Sequence, residues 1–377
     1  MDELFFELIR LSLGNGNGFS RKPTEREWQG LYHMAEKHAI LGVCYQGMQR
    51  LEDKEHWPSS NLVIQWMGVC TQIEQRNRTV NKQCIEIQEL LRNAGFRTCI
   101  LKGQGNLLMY KKGNPQLTLL RQPGDIDVWV EGGFEKVIGY VKRVCKTDSF
   151  TQYHVNFVYF PDTPVEVHFA PSKLFNRICN RRYQKWVAEE GDRQFFHFVD
   201  FENGEIAIPT QDFNHVYQLS HIYRHLFEEG IGLRQLTDYY MLLIATELSQ
   251  DEVANVKQLV RRFGMERFAR SLMWVMDYVF HLDKSKLLWN PDEKSGRFVL
   301  SEIMKMGNFG HADHRFDIDK DASHARRYCQ RLKGKFRFVK YFPMEVIWQP
   351  IDILITFFEL GRMRRMASII TRRASEV

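Results

Sequence analysis

The chain has 377 residues, of which 52 are Lys or Arg and 46 are Asp or Glu, giving a net charge of +6 at pH 7. At 44% hydrophobic and 26% charged it has ample apolar content for a core, which excludes wholesale disorder, and 25 Gly with 11 Pro exclude collagen-like and low-complexity architectures. The length suits two or three domains, or one core with helical additions. The mildly basic balance suits phosphate-bearing partners but does not by itself name nucleic acid. Seven cysteines without a CxxC pair argue against a disulfide framework or a cysteine zinc site, so a reducing, cytoplasmic setting is expected.

In chain order, MDELFFELIRLSLG carries Asp2, Glu3 and Glu7 where a secretory signal would carry positive charge. It reads as a short amphipathic helix with Leu4, Leu8 and Leu11 on one face. Residues 13–23 are a loop by their Gly, Asn and Pro content, and 24–93 have helical periodicity. The texture changes at Gly95. FRTCILKG (96–103) is strand-like, QGNLLMYKK (104–112) helical, DIDVWVEGG (125–133) an alternating strand and FEKVIGYVKRVCK (134–146) an amphipathic helix. QYHVNFVYF (152–160) and PVEVHFA (164–170) flank Pro-Asp-Thr as a hairpin, and a second hairpin is expected around Asn203-Gly204 after a helix over 173–189. From Gln211 helices return, near 211–228, 233–248, 251–263 and 266–282.

The expected architecture is therefore α+β. An N-terminal helical region (1–94) precedes a small mixed-sheet core (95–210), a helical domain (211–310) and a basic helical tail (311–377). From Lys320 to Val377 the tail has 13 Lys and Arg against 5 Asp and Glu. Its interleaved Tyr328, Phe336, Phe338 and Tyr341 suit RNA or an anionic membrane surface, against the plainer account of a solvated charged face. The most apolar stretch, VIWQPIDILITFFEL (346–360), is interrupted by Gln349, Pro350 and Asp352, so no membrane span is expected and any membrane contact would be peripheral.

The residues able to carry chemistry gather in the α+β core. Asp125 and Asp127 are i and i+2 on an expected strand and share a face, opposite Ile126, Val128 and Val130. Two ionised carboxylates side by side repel and call for a cation. A hard divalent ion such as Mg²⁺ takes carboxylate oxygens and leaves positions for water and phosphate. A solvated strand face gives the same pattern, and DxD alone favours that account. Glu166 and His168 share a face of the VEVHF strand. If the two strands pair, three carboxylates converge, which is the ligand set of two-metal phosphoryl transfer. At LKGQG, Gly103 and Gly105 would let the backbone approach a phosphate, and Lys102 adds charge. An ordinary strand-to-helix turn is the equal alternative, since GxxxxGK[ST] is absent. Arg121 either clamps a phosphate or pairs with an acid.

LKGQG, a helix, RQPGDIDVWV and a hairpin ending in VEVHF together resemble the nucleotidyltransferase superfamily that includes DNA polymerase β. More narrowly they are similar to an uncharacterised bacterial nucleotidyltransferase family with an LKG…R…DID…ExH pattern and a helical region like residues 215–243. The resemblance implies that Asp125 and Asp127 bind two Mg²⁺ (or Mn²⁺) ions, that Glu166 completes the catalytic metal site, and that Lys102, Gly103, Gln104, Gly105 and Arg121 handle the phosphates of an NTP such as ATP. It departs from the superfamily in having Lys-Gly-Gln-Gly where Gly-Gly or Gly-Ser is usual, and in the long interval from Gly103 to Asp125.

The implied reaction moves a nucleoside monophosphate from an NTP to an acceptor hydroxyl and releases pyrophosphate. The acceptor stays open among sugar phosphate, small molecule, tRNA and protein side chain. The rival readings are a non-catalytic nucleotide-binding or regulatory protein on the same fold, and an interaction protein working through its helical flanks and basic tail. His221 and His225 share a helix face but lack the glutamate of HExxH, so a structural role is expected. Arg234 and Asp238 read as an i, i+4 ion pair, and His168 as a neighbour of the metal ligands.

Overall fold

The computed structural model of the chain describes residues 1–145, 147, 149–311, 313, 315, 330 and 332–375, the last four without their side chains. Among them, α1 (Asp2–Leu13), α2 (Glu25–Lys37), α3 (Leu41–Gln49) and α4 (Ser60–Asn93) precede β1 (Thr98–Ile100) and α5 (Leu107–Gly113). Then come β2 (Ile126–Val130), α6 (Gly133–Val144), β3 (His154–Phe157), β4 (Val165–His168), α7 (Arg177–Phe195), β5 (Phe198–Phe201) and β6 (Gly204–Ala207). Helices α8 (Gln211–Glu228), α9 (Leu233–Ala245), α10 (Gln250–Arg262), α11 (Glu266–Phe280), α12 (Glu293–Met306) and α13 (Pro343–Ser375) complete the described elements. This is the expected α+β fold. The chain forms two compact units, each built from three segments.

The first unit comprises Met1–Thr79, Asn106–Pro123 and His225–His314 and is helical. Leu4, Leu8 and Leu11 of α1 are buried, as their spacing predicts. Gly47 of α3 allows α1 to lie close, because a Cβ there would stand 2.3 Å from the Leu8 carbonyl oxygen. Thr24 with Glu27 and Ser249 with Glu252 close capping boxes that start α2 and α10. α9 is buried on nearly every side and forms a central strut of this unit.

The second unit comprises Val80–Gly105, Gly124–Arg224 and Arg315–Val377. Its main sheet has the order β1-β2-β4-β3. β1 pairs antiparallel with β2, β2 parallel with β4, and β4 antiparallel with β3. The expected Pro-Asp-Thr hairpin is thus present. Ile100, Val128, Val167 and Val155 lie in register on one face. The rings of Tyr140 (α6) and Phe157 (β3) meet 6.3 Å apart on that side. On the opposite face Trp129 packs against Phe195 of α7 and stacks on Phe213 of α8. β5 and β6 form the second expected hairpin, with the positive φ of its turn on Glu202 rather than at Asn203-Gly204.

α13 is amphipathic in the reverse of the usual sense. Glu345, Gln349 and Asp352 are buried, whereas Ile347, Leu354, Phe357 and Phe358 are exposed. Asp352 pairs with Lys173 (2.7 Å) and Arg177 (3.3 Å), and Glu345 accepts a hydrogen bond from the Tyr223 hydroxyl (2.9 Å). Of the tail aromatics, Phe336 is exposed, Phe338 is buried and Tyr341 half-buried, while Tyr328 lies outside the described residues. No helix among the described residues is long and apolar enough to cross a membrane.

Candidate active site

The acids converge because β2 and β4 run parallel with Asp127 directly beside Glu166. Asp125 lies one residue before β2, at its N-terminal edge. One carboxylate oxygen from each of Asp125, Asp127 and Glu166 falls within 4.8 Å of the others. Asp127 is only 1% exposed, so the solvated-face account fails for it, and Asp125 and Glu166 are half-buried. The same sheet face carries Trp129 under its aromatic cover, so a dry floor adjoins the acidic patch.

Lys102 follows β1 and is aimed at the acids. Its Nζ lies 2.9 Å from Asp127 Oδ2 and 3.6 Å from Asp125 Oδ2. Burial by itself would lower the Lys102 pKa, but the charges of Asp125, Asp127 and Glu166 outweigh it and hold the ammonium well above its ordinary range. His168 supplies a second counter-charge, with Nε2 2.9 Å from Asp127 Oδ1 and 3.3 Å from Glu166 Oε2. Burial opposes the imidazolium, and hydrogen bonds to Asp127 and Glu166 overcome that and raise its pKa. The carboxylates respond in kind. Burial pushes Glu166 up, but the hydrogen bond and charge of His168, with His154 and Lys102, bring it down to about 2. Asp127 is likewise lowered against its burial, by the Lys102 charge and the His168 hydrogen bond.

His154 stands opposite His168 across β3 and β4, with Nδ1 3.2 Å from Glu166 Oε2. Burial, then the neighbouring His168 charge, lowers it to about 4, so it is neutral at pH 7. Tyr153 stacks on His168, and its hydroxyl accepts a hydrogen bond from Arg224 (2.6 Å).

The Lys102–Gly105 segment makes a tight turn. Gly103 has φ +64°, in the left-handed region, and a Cβ on Gly105 would meet the Ile100 carbonyl oxygen at 2.8 Å. The Gly105 amide donates to the Lys102 carbonyl oxygen (3.2 Å), and the buried Gln104 side chain donates to Asn81 Oδ1 (2.8 Å). A single 3₁₀ turn runs from Gly103 to Asn106. The turn thus calls for glycine twice, at Gly103 for its left-handed φ and at Gly105 for space.

Arg121 has taken the acid-pairing option. Its guanidinium grips Asp238 with two contacts of 2.7 Å, deep in the first unit, where the Tyr110 hydroxyl also donates to Asp238 (2.7 Å). Asp238 is therefore the partner of Arg121, a pairing across 117 residues that no local spacing signals. Arg234 places its guanidinium over the Phe309 ring. His221 and His225 are both buried on α8, with His221 stacked on Tyr217 and His225 against Phe309.

Sequence reasoning missed the inward ion pairs of Lys102 and the place of His154. Counting back through a three-residue Pro-Asp-Thr loop would put Asn156 opposite His168; the pairing of His154 with His168 comes from the wider loop between Phe157 and Val165, which no turn residue announces. As a donor set, the three carboxylates of Asp125, Asp127 and Glu166 fit a divalent cation, and Glu166 with His154 and His168 forms a second close group. No curated protein and no solved structure matches the chain. A family model described as "uncharacterised nucleotidyltransferase" does match, over residues 24–281, a span that includes every acid and imidazole of this site. With the fold, the three acids and a match over more than half its length, the chain belongs to that nucleotidyltransferase family.

Proposed function

We propose that the protein transfers a nucleoside monophosphate from an NTP to an acceptor hydroxyl. The acceptor oxygen bonds to the α-phosphorus, the bond from that phosphorus to the bridging oxygen breaks, pyrophosphate leaves with the bonding electron pair, and the hydroxyl proton passes to solvent water. The observation that carries this reading is the convergence of Asp125, Asp127 and Glu166 on adjacent parallel strands, beside a glycine turn in the left-handed region. Those three residues would hold Mg²⁺ or Mn²⁺, which when bound neutralises triphosphate charge and makes an acceptor hydroxyl more acidic. Lys102 compensates the charge of Asp125 and Asp127 and is placed to meet the phosphate oxygens of a bound nucleotide. Asp127 itself is buried, which strengthens its interaction with any charge placed beside it.

Pyrophosphate formation tests the proposal. The purified chain is incubated with the four NTPs, Mg²⁺ or Mn²⁺, and panels of sugar phosphates, tRNA and protein acceptors. Pyrophosphate should appear with at least one pairing and vanish in Asp127→Asn. A second reading, nucleotide binding without transfer, is favoured by Lys102 standing between Asp125 and Asp127 where a cation would go. It predicts nucleotide-dependent stabilisation with no pyrophosphate from any pairing.

A further inference from the structure

The two imidazoles beside the acids are arranged as ligands and not merely as neighbours. β3 and β4 pair antiparallel with His154 opposite His168, and Glu166 is two residues from His168, so all three side chains rise from one sheet face. One ligand atom each from His154, Glu166 and His168 lies within 4.8 Å of the others. This is a second group, distinct from the all-oxygen group and joined to it through Glu166.

Two details favour a metal over a plain hydrogen-bond cluster. The first concerns His168. Its Nδ1 faces the Ala170 carbonyl oxygen (3.4 Å), which can only accept, so the proton belongs on Nδ1. Nε2 then faces Asp127 and Glu166, two acceptors, so without metal it carries a second proton and donates to them, and a metal ion bound there would take that proton's place. A ring nitrogen held by a backbone carbonyl while the other faces inward is how metal-ligating imidazoles are oriented. The second concerns His154. Its Nδ1 is buried and makes no hydrogen bond among the described residues, although Glu166 Oε2 is 3.2 Å away. Tyr153 packs against both rings and fixes them.

We propose that His154, Glu166 and His168 form a second divalent-metal subsite, selective for a borderline transition ion such as Zn²⁺, Mn²⁺ or Co²⁺ over Mg²⁺, which shares Glu166 with the oxygen-only site of Asp125, Asp127 and Glu166. Two nitrogens and one carboxylate suit such ions, whereas Mg²⁺ prefers oxygen. The inference extends the nucleotidyl-transfer reading by naming a second kind of ion, and rests on that reading only for the role of the ion in turnover.

The test uses Co²⁺ as the probe, because nitrogen ligation gives it visible d–d absorption. The full chain is stripped with chelator, dialysed and titrated with Co²⁺, without nucleotide. The expected result is a visible band that saturates at one equivalent, is displaced by Zn²⁺ and is untouched by a hundredfold excess of Mg²⁺. His154→Ala and His154→Gln, the second keeping bulk and polarity in case the first misfolds, should each weaken Co²⁺ binding by at least about tenfold. Asp125→Asn, outside the imidazole group, should retain the Co²⁺ band. Equal competition by Mg²⁺, absence of a visible band, or wild-type Co²⁺ affinity in a folded His154 variant would each overturn the subsite. The two readings fail separately. Nucleotide stabilisation can be absent while the Co²⁺ band persists, and the band can be absent while Mg²⁺ and nucleotide still bind.

Discussion

Lys102 determines how the acids behave when no divalent ion is bound. From sequence alone the carboxylates are expected to repel one another without metal, so that neutralising one would stabilise the chain. The geometry reverses that expectation, because Lys102 and His168 already compensate Asp127. Removing one member of a buried ion pair costs about 3–5 kcal/mol. Lys102→Met should therefore melt well below wild type in EDTA, and Mg²⁺ should raise its melting temperature more than it raises that of wild type. A variant melting like wild type in EDTA would show that Lys102 is not the counter-ion. Elsewhere His38 sits fully buried, with neither ring nitrogen hydrogen-bonded among the described residues. Burial, aided by the Lys37 charge, lowers its pKa to about 3. The unfolded chain therefore binds this proton first as pH falls, so the stability is complete above about pH 6.5 and is lost as pH drops toward 3. In denaturant melts at pH 6, 5 and 4, His38→Met should lose less stability than wild type, by up to about 1.4 kcal/mol per pH unit. Parallel pH curves would contradict this. At this scale the three acids were legible because strand alternation fixes which side chains share a face. The partners of Lys102 and Arg121 were not, since both are tertiary pairings that depend on where distant segments lie.

Elements were legible wherever periodicity was strong, as in α1, the VEVHF strand and the Pro-Asp-Thr hairpin. β1 covers only Thr98–Ile100 of the expected 96–103, although hydrogen bonds from Leu101 to Asp127 and from Glu131 to Arg97 flank it, and the chain turns at Gly103 beyond it. The more instructive case is α13. Gln349 and Asp352 read as interruptions of an apolar stretch, yet they lie on the buried side, and the apolar residues lie outside. No pattern rule anticipates this, because the buried side is stabilised by Lys173, Arg177 and Tyr223, which are remote in sequence. Asp352→Ala should cost about 3 kcal/mol or more by leaving the Lys173 ammonium buried without its partner. Leu354→Ser, on the exposed side, should change stability by no more than about 0.5 kcal/mol. Chemical denaturation of the two variants checks the contrast. A larger loss for Leu354→Ser would mean that something covers the apolar face in solution.

Over the whole molecule, the α+β class followed from the switch of hydrophobic period at Gly95 and back at Gln211. The composition of the two units did not follow, because each draws on three separate segments, and such recombination leaves no local mark in the sequence. The account's central claim is that the acids of the β2–β4 pair bind a nucleotide together with a divalent ion. The most direct measurement is thermal unfolding of the metal-stripped chain with ATP, GTP, CTP or UTP, with and without Mg²⁺, for wild type beside the Asp125→Asn/Asp127→Asn double variant. A ligand at about 100 times its Kd adds roughly 2.7 kcal/mol, which such a melt resolves. The account predicts that at least one nucleotide raises the wild-type melting temperature only when Mg²⁺ is present, and that the double variant loses the shift. No shift with any of the four, or an equal shift in the double variant, would contradict it.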